Sequence, residues 1–123
     1  MKILIVDDDA DDREIFCEIV LSMQPDAECI VFEDAEKALA YLRAPLAQVD
    51  YIFVDVMMTP MAGKECLIEI KGIAGMSDVP VIMYSGTSNV RGAAEYKNLG
   101  AARFIVKQIR IDQLRDILAS IIK

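Results

Sequence analysis

The chain has 123 residues, 54% of them hydrophobic and 27% charged, which is typical of one globular domain with room for a sizeable core. Thirteen basic against 20 acidic residues give a formal net charge of −7. This charge argues against general binding to nucleic acids or anionic membranes, because phosphate-rich surfaces attract cationic faces. Histidine is absent, which excludes Ser-His-Asp and Cys-His catalysis and histidine-ligated metals.

Five short apolar runs, spread along the chain, predict five β-strands. The first covers residues 3–6 and the second 29–32. The third, 51–54, combines aromatic and β-branched residues, which suits a strand buried on both faces. The fourth covers 79–84 and the fifth 104–106.

A helical pattern follows each strand. Asp9 and Asp34 are placed to cap the first two helices. The third helix is expected over about 63–71, and the fourth from about Asn89 to Leu99, with Gly100 as its stop. The side chains predicted to face inward on the first and last helices are Ile15, Phe16, Ile19, Val20 and Met23, then Leu114, Ile117, Leu118 and Ile121.

Strand and helix alternate five times, which predicts an α/β fold with helices on both faces of a central parallel sheet. For five strands the common solution is the doubly wound, flavodoxin-like order 2-1-3-4-5. The pattern leaves no linker or internal repeat, so we expect residues 1–123 to form a single domain without an output domain.

The three cysteines, Cys17, Cys29 and Cys66, each lie within an apolar pattern and are predicted to be buried, reduced thiols. Lys2 leads directly into a strand-like run, and no apolar stretch approaches the length of a membrane span. A cytoplasmic location is therefore predicted.

The residues that follow the strands carry the chemistry. Asp7 and Asp8 follow the first strand, Asp55 the third, Ser85 the fourth, and Lys107 the fifth. Because the carboxyl ends of parallel strands meet at one edge of a sheet, where ligands bind in open α/β folds, we expect these side chains to converge.

Three carboxylates close together repel one another, so at least one pKa should rise unless a cation is present. A small all-oxygen site suits Mg²⁺. An aspartate can attack phosphorus, and Lys107, the hydroxyl of Ser85 and a metal could neutralise the charge that develops on the phosphoryl oxygens.

With these residues in place, the chain resembles a receiver domain of the two-component response regulators over essentially its whole length, of the single-domain, chemotaxis-like type. The matching landmarks occur in order: Ile3-Leu4-Ile5-Val6-Asp7-Asp8, Asp55 with Gly63 eight residues on, Ser85-Gly86, and Phe104 three residues before Lys107.

The resemblance implies specific roles. It makes Asp55 the phosphoacceptor, and it implies that Asp8 and Asp55 bind Mg²⁺ with the backbone carbonyl of Met57, while Asp7 acts mostly through water. It makes Ser85 a catalytic and switch hydroxyl.

The same resemblance makes Lys107 the site's cation and Phe104 the aromatic switch. The output surface would be the fourth helix, fifth strand and fifth helix, which could also form a homodimer. The phosphodonor would be a histidine kinase or a histidine phosphotransfer protein. Such a chain is not an enzyme in the ordinary sense, although the acyl phosphate would hydrolyse slowly.

Two departures concern the loops. The family usually has Met-Pro at the third and fourth positions after the acceptor, whereas here Thr59 separates Met58 from Pro60. Gln108 stands where the family usually has proline after the lysine.

Three alternative functions fit the sequence less well. A pseudo-receiver that binds partners without phosphorylation usually lacks an acid, the acceptor or the lysine, and this chain keeps all of them. An aspartate-nucleophile phosphatase wants a second Asp two residues after the first, where Met57 stands. A flavodoxin needs a hydroxyl- and glycine-rich phosphate loop after the first strand, where this chain has five aspartates that would repel phosphate.

Overall fold

Five strands and five helices alternate in the computed structural model, which describes residues 1–58, 60–86, 90–108 and 110–122. The strands are β1 (Lys2–Val6), β2 (Glu28–Phe32), β3 (Tyr51–Asp55), β4 (Val81–Ser85) and β5 (Arg103–Val106). The helices are α1 (Ala10–Met23), α2 (Ala35–Leu42), α3 (Gly63–Lys71), α4 (Val90–Asn98) and α5 (Ile111–Ile121). Thr59 and Asn89, which carried two of the predictions, lie outside the described residues.

The strands form one parallel sheet in the order β2-β1-β3-β4-β5, as predicted. β3 lies at the centre of the sheet, with Val54 beside Val6 of β1 and Asp55 beside Tyr84 of β4. Because all five strands run the same way, their carboxyl ends share one edge, and the loops that follow them are neighbours.

Each strand sends alternate side chains into two separate cores, as the two-residue period of a strand requires. In β1, Leu4 and Val6 pack with α2 and α3, whereas Ile3 and Ile5 pack with α1 and α5. All four side chains are fully buried. This double burial explains why the strands are continuous apolar runs without polar alternation.

Helix α1 is fixed to the sheet by Phe16. Its ring lies 4.8 Å from that of Phe53 and 6.3 Å from that of Tyr84, centroid to centroid, in edge-to-face arrangements. The prediction that Ile15 also faces inward is wrong, because its side chain is 37% exposed. One residue is about 100° of helix rotation, so a stripe centred on Phe16 turns Ile15 toward solvent.

The predicted helix ends are confirmed where the structure describes them. Asp9 and Asp34 accept hydrogen bonds from the backbone N–H groups three residues later, which satisfies donors that have no partner within the helix. Gly100 follows α4 with φ at 107°, a left-handed conformation that glycine adopts without strain. The fourth strand begins at Val81 instead of residue 79, directly after Pro80, which cannot donate to a sheet.

The prediction of three reduced thiols is wrong for two of them. Cys17 of α1 and Cys29 of β2 form a disulfide, with their Cα atoms 6.0 Å apart, a separation that a disulfide readily spans. Cys66 is a free, buried thiol, and burial, with the charge of Glu69 as a smaller cause, raises its pKa to about 12. The cysteines therefore no longer support the predicted cytoplasmic location, because disulfides are rare in cytoplasmic proteins. In the described part of the chain, no helix has the length and apolar character needed to cross a membrane.

Candidate functional site

Three carboxylates meet at the carboxyl edge of the sheet. β1 ends at Val6, so Asp7 and Asp8 begin the next loop, and Asp55 is the last residue of the neighbouring strand β3. One oxygen from each acid lies within 4.8 Å of the others. Asp7 and Asp55 are buried, at 0% and 3% exposure, whereas Asp8 is exposed at the mouth. The predicted convergence of the acids is confirmed.

Lys107 brings a single positive charge into this pocket. Its Nζ lies 2.8 Å from Oδ2 of Asp12, 3.0 Å from Oδ2 of Asp7 and 3.4 Å from Oδ2 of Asp55. The same ammonium stands 4.8 Å from the centroid of the Tyr84 ring, within the range of a cation–π contact. The flexible stem of lysine lets the charge reach the acids from β5 at the far side of β4.

Ser85 lies at the carboxyl end of β4, whereas Phe104 lies two positions before the end of β5. Ser85 is buried at the end of β4, and its carbonyl accepts a 2.6 Å hydrogen bond from the backbone N–H of Lys107. Phe104 is half-buried beside Met83 of β4, and its ring stacks on that of Tyr96 from α4, 5.6 Å between centroids. Phe104 therefore connects β5, the strand that precedes Lys107, to α4.

The loop after β3 is held against Asp55 by its backbone. The N–H of Met57 donates to Oδ1 of Asp55 at 3.1 Å, while the Met57 side chain is 74% exposed. A Cβ on Gly63 would lie 2.2 Å from the carbonyl oxygen of Asp55, far inside any tolerable contact. Glycine at 63 thus allows α3 to begin against the strand that carries the acid.

Burial and like charge set the protonation of the site. Burial, followed by the charge of Asp7, raises the pKa of Asp55 to about 7, although Lys107 and the N–H of Met57 act in the opposite direction. Burial lowers the pKa of Lys107, but the hydrogen bonds that its ammonium donates to Asp12 and Asp7, with the negative charges of Asp7 and Asp55, raise that pKa overall. Lys107 is therefore a permanent cation. The raised pKa of Asp55 agrees with the expectation that one carboxyl in this cluster should titrate above its usual range.

The donor set fits a small, hard divalent cation. The three acids provide only oxygen atoms, which Mg²⁺ prefers, and they lie close enough for a cation to relieve their repulsion. Asp8 is open to solvent, so a cation bound there could keep several waters. Whether the Met57 carbonyl joins the set stays a prediction.

Sequence reasoning missed three residues that complete the site. Asp12, in the first turn of α1, makes a shorter ion pair with Lys107 than Asp7 or Asp55 does. Arg13 donates through Nη1 to the carbonyl of Asp7 at 2.7 Å, and Tyr84 lies under the ammonium. The only sequence signal was the position of Asp12 and Arg13 immediately after the acidic loop.

The fold and this pocket can now be compared with known proteins. Residues 3–119 match the family described as Response regulator receiver domain. The chain belongs to this family. Over its whole length the domain is 32% identical to the two-component response regulator ORR21 of Oryza sativa subsp. indica, and over 116 residues it is 29% identical to ORR1 of Oryza sativa subsp. japonica. It spans only 17% of the length of ORR21 and 50% of that of ORR1.

Solved receiver structures have the same architecture. The phosphorylated cyanobacterial phytochrome response regulator RcpA superposes with a TM-score of 0.87 at 27% identity, covering 98% of this chain and 89% of that one. The chemotaxis protein CheY4 of Vibrio cholerae gives a TM-score of 0.84 at 26% identity, covering 98% of both chains. These likenesses bear out the predicted flavodoxin-like receiver fold.

The raised pKa of Asp55 predicts a pH-dependent instability of the metal-free receiver domain. Asp55 has an ordinary pKa of 3.8 when unfolded and about 7 when folded, so between these values the folded state binds more protons. The free energy of unfolding should therefore fall as pH rises through this window and level off above it. Asp55→Asn lacks this contribution, so its stability advantage over the parent should grow from pH 4.5 to pH 8.

Denaturant unfolding of both proteins without divalent cations measures this difference. Asp26→Asn, which removes an exposed acid distant from the pocket, serves as the control and should give a flat difference. An advantage of Asp55→Asn that does not change with pH would show that Asp55 titrates normally in the folded protein.

Proposed function

We propose that this receiver domain is a phosphoacceptor switch in which Asp55 receives a phosphoryl group from the histidine of a kinase or phosphotransfer protein. The observation that carries the proposal is the position of Asp55, a buried carboxylate with two further acids and one ammonium within reach. Receiver domains of two-component systems act with such donors, and RcpA, one structural relative, was crystallised in a phosphorylated form.

The transfer balances when the donor's imidazole already carries a proton on its other ring nitrogen, so that the ring leaves as neutral imidazole. A carboxylate oxygen of ionised Asp55 attacks phosphorus, the bond from phosphorus to the donor's imidazole nitrogen breaks, and that nitrogen keeps the electron pair. Lys107 is placed to pair with the phosphoryl oxygens, and the N–H of Met57 holds the other oxygen of the attacking carboxylate. The attack requires ionised Asp55, so the raised pKa of the metal-free pocket must be overcome.

Asp8 and Asp55 would hold Mg²⁺ directly, with the Met57 carbonyl, and Asp7 would act through a bound water. When bound, Mg²⁺ supplies the charge that neutralises the phosphoryl oxygens and favours ionised Asp55. Asp7 is fully buried and already engaged with Lys107, which suits it to an indirect role.

The signal would leave the site through β4 and β5. Ser85 would follow the phosphoryl oxygens, and the half-buried ring of Phe104 would repack in response, a shift between two packings of the same chain. Because Phe104 stacks on Tyr96 of α4, the change would reach the face formed by α4, β5 and α5. This face is our proposed surface for a downstream protein or for a second copy of the chain.

We propose that this receiver domain acts in the cytoplasm and itself makes no direct contact with nucleic acid or membrane. The receiver is a signalling switch instead of an enzyme, and its acyl phosphate is proposed to hydrolyse slowly on its own. The charge of −7 supports the absence of contacts with phosphate-rich surfaces.

Asp55→Asn tests the acceptor assignment. Asparagine keeps the size of the side chain but removes the nucleophile, so the variant should take up no phosphoryl group at position 55 from acetyl phosphate and Mg²⁺. Intact-protein mass spectrometry should show the parent gaining one phosphoryl group, with peptide mapping placing it on Asp55.

Asp26→Asn is the matched control and should be phosphorylated like the parent. Uptake by Asp55→Asn at the parent's rate would overturn the assignment. A parent that takes up no phosphoryl group, yet still binds partners, would instead favour the pseudo-receiver.

Met57 generates a prediction about the lifetime of the phosphoryl group. Hydrolysis needs a water aligned opposite Asp55, and the exposed thioether of Met57 has no strong hydrogen-bonding group to orient one. Met57→Asn should therefore shorten the lifetime of phospho-Asp55 several-fold, measured by the decay of the phosphorylated mass after the donor is removed. Met57→Leu is the control and should decay like the parent, whereas slower or unchanged decay in Met57→Asn would exclude Met57 as the limiting residue.

A further inference from the structure

The shortest ion pair of Lys107 involves an acid outside the three that form the pocket. Asp12 lies 2.8 Å from the Nζ of Lys107, closer than Asp7 at 3.0 Å and Asp55 at 3.4 Å. An ammonium group has three donors, so each acid that binds it limits its freedom to move toward another. Lys107 is therefore held on the Asp7 and Asp12 side of the pocket.

The backbone fixes the position from which Asp12 reaches the lysine. Asp12 lies in the first turn of α1, and its N–H donates to Oδ1 of the capping residue Asp9 at 3.0 Å. The adjacent Arg13 ties the same turn to the carbonyl of Asp7 at 2.7 Å. These bonds fix the helix start, so the Asp12 carboxylate is a built partner of Lys107 instead of a chance surface contact.

We propose that Asp12 is a positioning residue that restrains phosphorylation by holding the ammonium of Lys107 away from Asp55. This inference rests on the proposed function of Asp55. When phosphoryl transfer begins, Lys107 must shift to the phosphoryl oxygens, and Asp12 competes with them for it. The negative charge of Asp12 also opposes an anionic phosphodonor, so both effects slow transfer.

Asp12→Asn releases the ammonium while keeping the side chain's shape. With acetyl phosphate and saturating Mg²⁺, its phosphorylation rate should exceed that of the parent by about two- to fivefold, the scale of one partly exposed ion pair. Asp11→Asn removes the same charge one residue earlier, from an exposed side chain, and should change the rate much less. Asp12→Glu keeps the charge and should stay close to the parent.

A merely structural Asp12 would give the opposite sign, since a weakened helix start would lower the melting temperature and slow the transfer. A rate for Asp12→Asn at or below that of Asp11→Asn overturns the proposal. So does a parent that takes up no phosphoryl group, an outcome that overturns the proposed function as well.

A second measurement tests the position of the ammonium without any phosphodonor. In a crystal structure of metal-free Asp12→Asn, the Nζ of Lys107 should lie closer to Asp55 than in the parent crystallised under the same conditions. An ammonium that stays on Asp7 overturns the role of Asp12, even if Asp55 is phosphorylated as proposed.

Discussion

The repulsion among Asp7, Asp8 and Asp55 is the constraint on which the rest of this structure depends. The parallel sheet brings these acids together, and one half-buried ammonium, that of Lys107, offsets only part of their charge. Burial, followed by the charge of Asp7, raises the pKa of Asp55, so the metal-free pocket disfavours the ionised form of this acid. The repulsion makes the metal-free domain less stable than one with an uncharged pocket would be. A bound cation relieves this repulsion.

The surrounding fold keeps the three acids close together. Two apolar cores pack against β1 and β3, one on each face of the sheet. The two strands that carry the acids therefore cannot separate to relieve the repulsion. Gly63 lets α3 begin against the Asp55 carbonyl, where a side chain would push the loop away. Phe16 fixes α1 to the sheet, and with it the acidic turn that ends at Asp12.

The sequence was sufficient to predict the sheet order and the pocket acids because both follow from local signals. Apolar runs alternate with helical patterns, and parallel strands place Asp7, Asp8 and Asp55 at one edge whatever the details of packing. Asp12 could not be predicted, because its contact with Lys107 joins positions 95 residues apart through two long side chains. The Cys17–Cys29 bond could not be predicted either, because it depends on how closely α1 approaches β2 and no spacing motif in the sequence indicates it. The prediction that Ile15 faces inward was wrong for a similar reason, since the apolar character of a side chain does not determine the exact rotation of α1.

The central claim is that crowded carboxylates are relieved by a divalent cation, and thermal unfolding with Mg²⁺ measures this most directly. Millimolar Mg²⁺ should raise the melting temperature of the parent by about 2–8 °C, since binding to the folded state alone stabilises it. Asp8→Asn should melt higher than the parent without metal and gain much less from Mg²⁺. A parent melting temperature that is the same with and without Mg²⁺ would contradict the account, because the pocket would then neither bind the cation nor store the repulsion.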